Sequence, residues 1–532
     1  MRWAAGGLLL ALGVAAAVIE IGLQQTEPLL RVRLIEELET HFHARVELDS
    51  FHVSFVKGLW AEGKGLRIYC LVGGNQPLIS ADEFRFHAPI HYRPSEPIHV
   101  TMVELKGLRA DLPPKEQLKD AAAASGISES AAKPRAGLAK LVSFELDRIE
   151  CDGAKLVMET SKPGKLPLEF EFAHINLSGI SSTGPIGFDA ELTNPRPKGT
   201  IKTTGSIDAL HTADLGESPI EGSYSFEHAD LSTFRGIAGT LSSTGHFKGT
   251  LRDLVVDGQT ETPDFRLTHF GSPLLLKTSF HARVDGTNGD TWLEPVDATL
   301  DHSHLTATGQ VVRVMATEDG GAPHSIGHEI DLRVYVDKGR IEDFLRLASH
   351  SGEALMSGDL ALKTTLEIPP GPEALEDRLN LNGWFSLDNS LFTSEKIQGR
   401  IAELSLRGQG RPDELKKTDP SSILSRMQSN FTLEDGVVTL PALDYTVPGA
   451  KIELKGAYSL EGGGLNFDGS AKMQASVSRM VGGWKGVLLA PADPFFRKDG
   501  AGTEVPIHIK GTREKPEFGI EFEKMKLSEK QQ

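Results

Sequence analysis

The sequence predicts a mainly β protein: a long curled antiparallel sheet forming an apolar groove, with an N-terminal transmembrane helix and few short helices. Three observations predict it. After Arg45, apolar and polar residues alternate at period two through most of the chain, the mark of strands with one dry and one wet face. Asp-Gly or Asn-Gly pairs recur at Asp152-Gly153, Asp257-Gly258, Asp285-Gly286, Asn288-Gly289, Asp435-Gly436 and Asp468-Gly469. Such pairs accept the positive φ of tight hairpins, so most neighbouring strands should be antiparallel. Helical periodicity is sparse, and 55 glycines with only 7% aromatic residues fit many turns between short elements.

Residues 1–25 read as the anchor. Trp3 to Ile19 carries no charge, Glu20 interrupts, and Ile21-Gly22-Leu23 ends the apolar stretch. Spanning hydrocarbon takes roughly 17–25 apolar residues, so the run is just long enough. Arg2 and the amino terminus are the only positive charges before it, which keeps the N-terminus cytoplasmic and exports the rest. Ala15-Ala16-Ala17 also offers a signal-peptidase site, so a cleaved leader stays open. Both readings export the bulk of the chain.

Residues 26–112 form an N-terminal helix-plus-strands unit. Thr26-Glu27-Pro28 reads as a helix start, and Leu30, Leu34, Leu38 and Phe42, with Ile35 beside them, make one apolar stripe. That helix is expected to close the end of the following sheet; its mixed charges do not make the basic face of a lipid-surface helix. Residues 113–140, rich in Ala, Ser and Lys with Pro113, Pro114 and Pro134, read as a linker or loop. A β-rich middle, 141–430, and a C-terminal region, 431–532, follow. Helices are expected at Ile341–Leu355, Ser422–Met427 and Val477–Leu489.

So much one-sided apolar sheet exceeds what these helices can cover. A sandwich, a closed barrel or a sheet curled around its own groove would each solve the problem. No boundaries recur at the roughly 100–250-residue interval of sandwiches and barrels, which places the curled sheet at least level with them. Its candidate lining is Phe51, Val53 and Phe55; Phe144 and Leu146; Phe170 and Phe172; Leu332 and Val334; Leu362 and Leu366; Ile452 and Leu454; and Phe518, Ile520 and Phe522.

Composition excludes several functions. Lys and Arg number 56 against 73 Asp and Glu, a net charge of −17, which argues against nucleic-acid binding. The two cysteines, Cys70 and Cys151, build neither a disulfide framework nor a thiolate metal site, although one disulfide between them stays open in an oxidising compartment. No phosphate-binding glycine loop, nucleophile elbow or H-E-x-x-H is present. His41 and His43, and His302 and His304, stand two apart, without an obvious third ligand nearby. Asp285 to Asp290 has a calcium loop's composition without its spacing or its bidentate Glu. No catalytic residue, cofactor or metal is expected.

Two stretches resemble a known family. RVRLIEELETHFHARVELDSFHVSFVKGLWAEGKGLRI, residues 31–68, is similar to the opening of the AsmA family after its single anchor. Residues 430–469 resemble the AsmA-like C-terminal region through Leu433-Glu434-Asp435-Gly436, Pro448-Gly449-Ala450 and Leu454-Lys455-Gly456. The stretch Asp493 to Ile520 also fits AsmA-like proteins. The resemblance covers a fifth to a quarter of the chain, at its two ends. It implies an inner-membrane, single-pass protein with a periplasmic body, related to TamB-like and chorein-type bridge proteins that carry phospholipid along an apolar groove. Phospholipids, the inner membrane and outer-membrane or periplasmic envelope proteins are the partners it implies. The expected function is phospholipid binding or transfer between the two membranes. An envelope assembly factor acting through partner binding is the alternative, and a secreted enzyme on a β-solenoid is a third class, with neither regular rungs nor clustered carboxylates behind it.

Overall fold

The structure, a computed structural model, describes residues 28, 31–32, 34–36, 38–39, 44–54, 59–70, 77–88, 98–112, 144–158, 168–179, 185–195, 197–208, 217–268, 272–286, 289–316, 324–348, 354–374, 377–460, 462–481, 502–512 and 515–520. The expected anchor (1–25), the linker (113–140), Phe55 and Phe522 lie outside them. Among the described residues no helix is long and apolar enough to cross a membrane.

The strands begin with β1 (Ala44–Glu47), β2 (Ser50–Ser54), β3 (Leu59–Cys70), β4 (Ile79–Ala88), β5 (Ile98–Val100), β6 (Met102–Lys106), β7 (Arg109–Leu112), β8 (Phe144–Leu146) and β9 (Arg148–Met158). The middle holds β10 (Leu168–Ser178), β11 (Ile186–Pro195), β12 (Lys198–Ile207), β13 (Pro219–Asp230), β14 (Ile237–Ala238), β15 (Thr240–Thr250), β16 (Asp253–Leu267), β17 (Leu274–Asp285), β18 (Asp290–Leu300), β19 (Ser303–Ala316), β20 (His324–Arg340), β21 (Met356–Ile368) and β22 (Asn380–Phe392). Last come β23 (Ser425–Glu434), β24 (Val437–Val447), β25 (Ala450–Ser459), β26 (Gly464–Met473), β27 (Thr503–Thr512) and β28 (Pro516–Ile520). The helices are α1 (Ile341–Leu347), α2 (Glu395–Gly408) and α3 (Val477–Val481).

Twenty-six of these strands form one sheet. From β9 onward it is an antiparallel meander in chain order, with β14 attached beside β16. The order breaks at β9, which joins β6 and β7 in parallel. The sheet is therefore continuous across the expected linker, and β23 runs straight through residues 430 and 431.

Several expectations need correcting. Phe144 and Leu146 lie on β8, which pairs in parallel with β5 in a separate two-stranded sheet, so they are not part of the large sheet. Residues 425–427 are strand, not helix, preceded by a single 3₁₀ turn at Pro420–Ser422. The helix at Ile341 ends at Leu347, and the helical residues described from Val477 end at Val481. The longest helix described, α2, was not expected, although Ile397, Ile401 and Leu404 carry a helical spacing.

Three Asp-Gly pairs also stand inside strands rather than at turns. Asp285 to Asp290 and Asp435-Gly436 do close hairpins, the latter with φ of 49° and 70°. Asp152-Gly153, Asp257-Gly258 and Asp468-Gly469 lie within β9, β16 and β26. In these the Asp faces outward to a histidine on the next strand: His174, His281 and His508 respectively.

The two long edges of the meander differ. One carries short hairpins such as 250–253, 285–290 and 434–437; the other carries α1, α2, α3 and the 3₁₀ turn Leu231–Thr233. Bulges at Phe226/Ala229, Thr262/Phe265, Val336/Gly339 and Leu387/Ser390 follow the helix-bearing edge, and bulges bend and twist a strand. Packed cores sit toward the two ends. Helical Leu34, Ile35 and Leu38 pack on clusters around Phe51, Phe84, Val46 and Ile68, the closing role expected of the N-terminal stripe. Ile401 and Leu404 of α2 pack on Tyr445, Val447, Ile452 and Phe467.

Candidate functional site

Residues directly opposite across a ladder share a face, so the registers trace each face strand by strand. Starting at Val53 on β2, one row runs Ala61, Phe86, Val103, Ile149, Leu177, Phe188, Gly205, Gly222, Phe247, Val256 and Ala282. It continues through Leu293, Gly309, Leu332, Leu366, Leu381, Leu433, Val438, Tyr458, Leu465 and Gly511 to Pro516 on β28. No charged residue interrupts it, and its only side-chain polar atom is the Tyr458 hydroxyl. These 22 pairings, at roughly 4.8 Å each, make a contour of about 100 Å. A neighbouring row on the same face, from Phe51 through Phe84, Cys151, Tyr224, Phe280 and Val334 to Phe431, is also free of charge.

The opposite face is polar. Its row beside these runs Glu62, Arg85, Glu104, Glu150, Asn176, Asp189, Thr204, Ser223, His246, Asp257, His281. Cross-strand ion pairs such as Lys64–Glu83, Lys248–Glu221 and Lys277–Glu261 cover it. Being exposed, each contributes little to stability; together they fix which face meets water.

The candidate lining residues on the large sheet share the apolar face, but their surroundings differ. Phe51, Ile452 and Leu454 are buried in the packed end clusters, with Val53 against one of them. Phe170, Phe172, Leu332, Val334, Leu362 and Leu366 are only half-buried. Register sets Phe518 and Ile520 opposite Ile509 and Ile507. Along the whole Val53–Pro516 row only Ala61, Ala282 and Leu433 are buried. Large side chains of the middle strands, Phe188, Phe247 and Leu293 among them, therefore keep part of their surface in contact with solvent. Beside α2 the helix covers the helix-bearing half of the face, while Val438, Tyr458 and Leu465 stay half-buried toward the hairpin edge.

Glycines shape this face. A Cβ on Gly258 would come 2.6 Å from the Phe280 ring and 2.8 Å from the Tyr224 hydroxyl; one on Gly222 would come 2.8 Å from the Phe247 ring. The rings thus lie along the sheet over neighbouring glycines instead of standing up from it. A small hydroxyl group interrupts the lining between β13 and β17. Tyr224 Oη lies 3.1 Å from Ser243 Oγ, and Thr260 Oγ1 2.7 Å from Thr278 Oγ1. Sequence alternation did not expose it, because hydroxyl residues read as the wet half of the pattern.

His41 and His43 lie outside the described residues; the other candidates sit in hydrogen-bonded or ion-paired networks. His302 and His304 part company: His304 Nδ1 meets Asp337 at 3.0 Å, and His302 lies near Asp301 and Asp343. Those last three could together offer ligand atoms to a metal. However, the Arg346 guanidinium already bridges Asp301 and Asp343, and Asp343 accepts from the His302 N–H and, at 2.8 Å, from Ser303 Oγ. This network ties α1 to the β18–β19 turn. Cys151 is buried and free, and burial pushes its thiol up. Its strand is separated from that of Cys70 by β4 and β6. Three strand spacings, about 14 Å, exceed the ~7 Å Cα limit of a disulfide. Two shallow, open depressions of about 750 and 570 Å³ lie toward the polar face, near Glu221 and Lys248 and near Arg333 and Lys363. No family model, curated protein or solved structure matches this chain.

Proposed function

We propose that the protein is an AsmA-like, membrane-anchored, periplasmic lipid-handling protein that lays phospholipid acyl chains along its apolar face. The supporting observation is the uncharged row from Val53 to Pro516, left half-exposed through the middle of the sheet. A well-packed core would bury such side chains. Full burial of a Leu or Phe is worth about 1.5–3 kcal/mol, so each partly exposed one leaves roughly 0.5 kcal/mol to be gained by an occupant. A sixteen-carbon chain costs roughly 12 kcal/mol in water, and burying it against this row returns most of that. Transfer from bilayer to protein then becomes nearly neutral and needs no catalytic residue. The headgroup stays hydrated at the hairpin edge, where among the described residues no helix covers the face.

The test is phospholipid bound to gently purified protein, measured by lipid mass spectrometry. Stoichiometric phospholipid in the parent, and its loss in folded Phe172→Glu or Val334→Glu, are expected. Lipid-free parent protein favours the envelope-assembly reading. Unchanged lipid content in folded variants removes the apolar face from the mechanism.

A further inference from the structure

Ion pairs join the strands over most of the polar face, but one strip differs. Across β20, β21 and β22 the register aligns Tyr335, Lys363 and Trp384 in one row, and Arg333, Thr365 and Asn382 in the next. Tyr335 is 44% exposed and Trp384 36%, so two large rings are turned to water. The Lys363 ammonium lies 5.3 Å from the Tyr335 ring centroid. Among the described residues neither Arg333 nor Lys363 has a carboxylate partner. Followed outward to β19 and β23, the two rows add only Thr306, Thr308, Asn430 and Thr432. Carboxylates return beyond the strip, at Asp331 and Glu367 and at Asp337 and Asp359 along the strands, and at Asp297 on β18, opposite Thr306. The 570 Å³ depression lies over this strip.

We propose that the strip binds a strand of acidic polysaccharide, independently of what the apolar face carries. Two neighbouring cations without a carboxylate partner among the described residues call for an anionic ligand. Tyr335 and Trp384 are two strand spacings apart, about 10 Å, close to the length of a disaccharide. Alternate sugars can lay their C–H faces on the two rings once the Lys363 ammonium, which lies over the Tyr335 ring, swings to the carboxylate of the sugar between them. The Arg333 row supplies a second cation and, through Thr365 and Asn382, partners for ring hydroxyls. An extended peptide rises ~3.3 Å per residue, so groups three residues apart would point to opposite sides and only one would reach a ring. An anionic bilayer would meet the flanking carboxylates as well as the cations. A narrow polyanion avoids those flanking the strip along the strands, and Asp297 limits its length on the β18 side.

The test uses the full chain, with β-1,4-linked oligomannuronate as the probe and neutral cellohexaose as its control, followed by calorimetry and tryptophan fluorescence. Oligomannuronate should bind and quench fluorescence, cellohexaose should bind at least about tenfold more weakly, and added salt should weaken binding. Lys363→Glu and Trp384→Ala should each weaken oligomannuronate by roughly tenfold or more. Trp384→Phe, which keeps the stacking surface, should stay within about threefold of the parent while losing the quench. These side chains are exposed, and matching circular dichroism would confirm folded variants. No oligomannuronate binding, equal affinity for cellohexaose, or insensitivity to both weakening variants overturns the proposal. So does binding, through these residues, of phosphatidylglycerol vesicles or an acidic proline-rich peptide in place of the glycan.

Discussion

Leu366→Glu probes the apolar face where it is most open. Leu366 is half-buried and opposite Leu332 and Leu381 in the uncharged row. Losing most of a leucine's burial free energy costs about 1–2 kcal/mol, which the fold should tolerate. A bound acyl chain would not. It would lose contact for two or three methylenes at ~0.8 kcal/mol each and would strip water from a charge, which costs several kcal/mol. Even a total of about 3 kcal/mol lowers occupancy about a hundredfold. Leu366→Met should keep the lipid, as should Thr299→Glu on the polar face, where the residue opposite is Lys277. Lipid extraction with mass spectrometry reads occupancy, and thermal unfolding reads the fold. A folded Leu366→Glu protein carrying the parent's phospholipid would refute the reasoning.

Three further expectations concern the scaffold. Asp343 is fully buried and accepts from His302, Ser303 and Arg346, so Asp343→Ala should cost about 3 kcal/mol in denaturant unfolding; zinc or calcium should leave the parent's melting temperature unchanged, because Arg346 already supplies the positive charge. A Cβ on Gly469 would fall 1.9 Å from the Glu453 carbonyl oxygen, whereas Gly153 has open space and a φ of +67°; Gly469→Ala should therefore cost at least about 2 kcal/mol and Gly153→Ala nearer 1 kcal/mol, measured by the same unfolding. The hydrogen bond from His304 holds the Asp337 carboxyl below the usual range; a depressed folded value means the pair's small contribution is present above the ordinary Asp range and fades as pH falls through the folded value. His304→Ala should move the Asp337 titration upward by NMR, and an unchanged titration would deny the coupling.

Much of this architecture was legible because a strand's period is two. Leu332 and Leu366 declare their face through alternation alone, and the ladder brings them together. Alternation does not say what covers a face. Ile452 and Leu454 read like Leu332, yet they lie in a packed cluster because α2, some fifty residues earlier in the chain, folds onto them. The α2 helix itself was readable from Ile397, Ile401 and Leu404, but Gly399 and the flanking strand patterns obscured it. Phe144 and Leu146 belong to a three-residue strand, too short for periodicity to show which sheet it joins. The in-strand Asp-Gly pairs misled for a local reason. An Asp-Gly turn and an outward Asp beside an inward Gly spell the same dipeptide, and only the neighbours separate them: His281 for Asp257, and the Phe280 ring over Gly258.

The treatment of the sheet's edges bears on the open face. An exposed edge invites pairing with another chain, and proteins blunt edges with short strands, proline and charge. At one end β1 and β2 divide the edge of β3 between them. At the other, β28 opens with Pro516, which has no N–H to offer, and carries Glu517. The polar face is covered by alternating charges. The same chain leaves a face about 100 Å long uncharged and only half-covered, without one Lys or Glu in its principal row. At those partly exposed positions a Lys could lay its stem on the sheet and keep its ammonium in water. Keeping every one of them apolar, beside edges that are guarded, makes sense for a face that meets an apolar occupant.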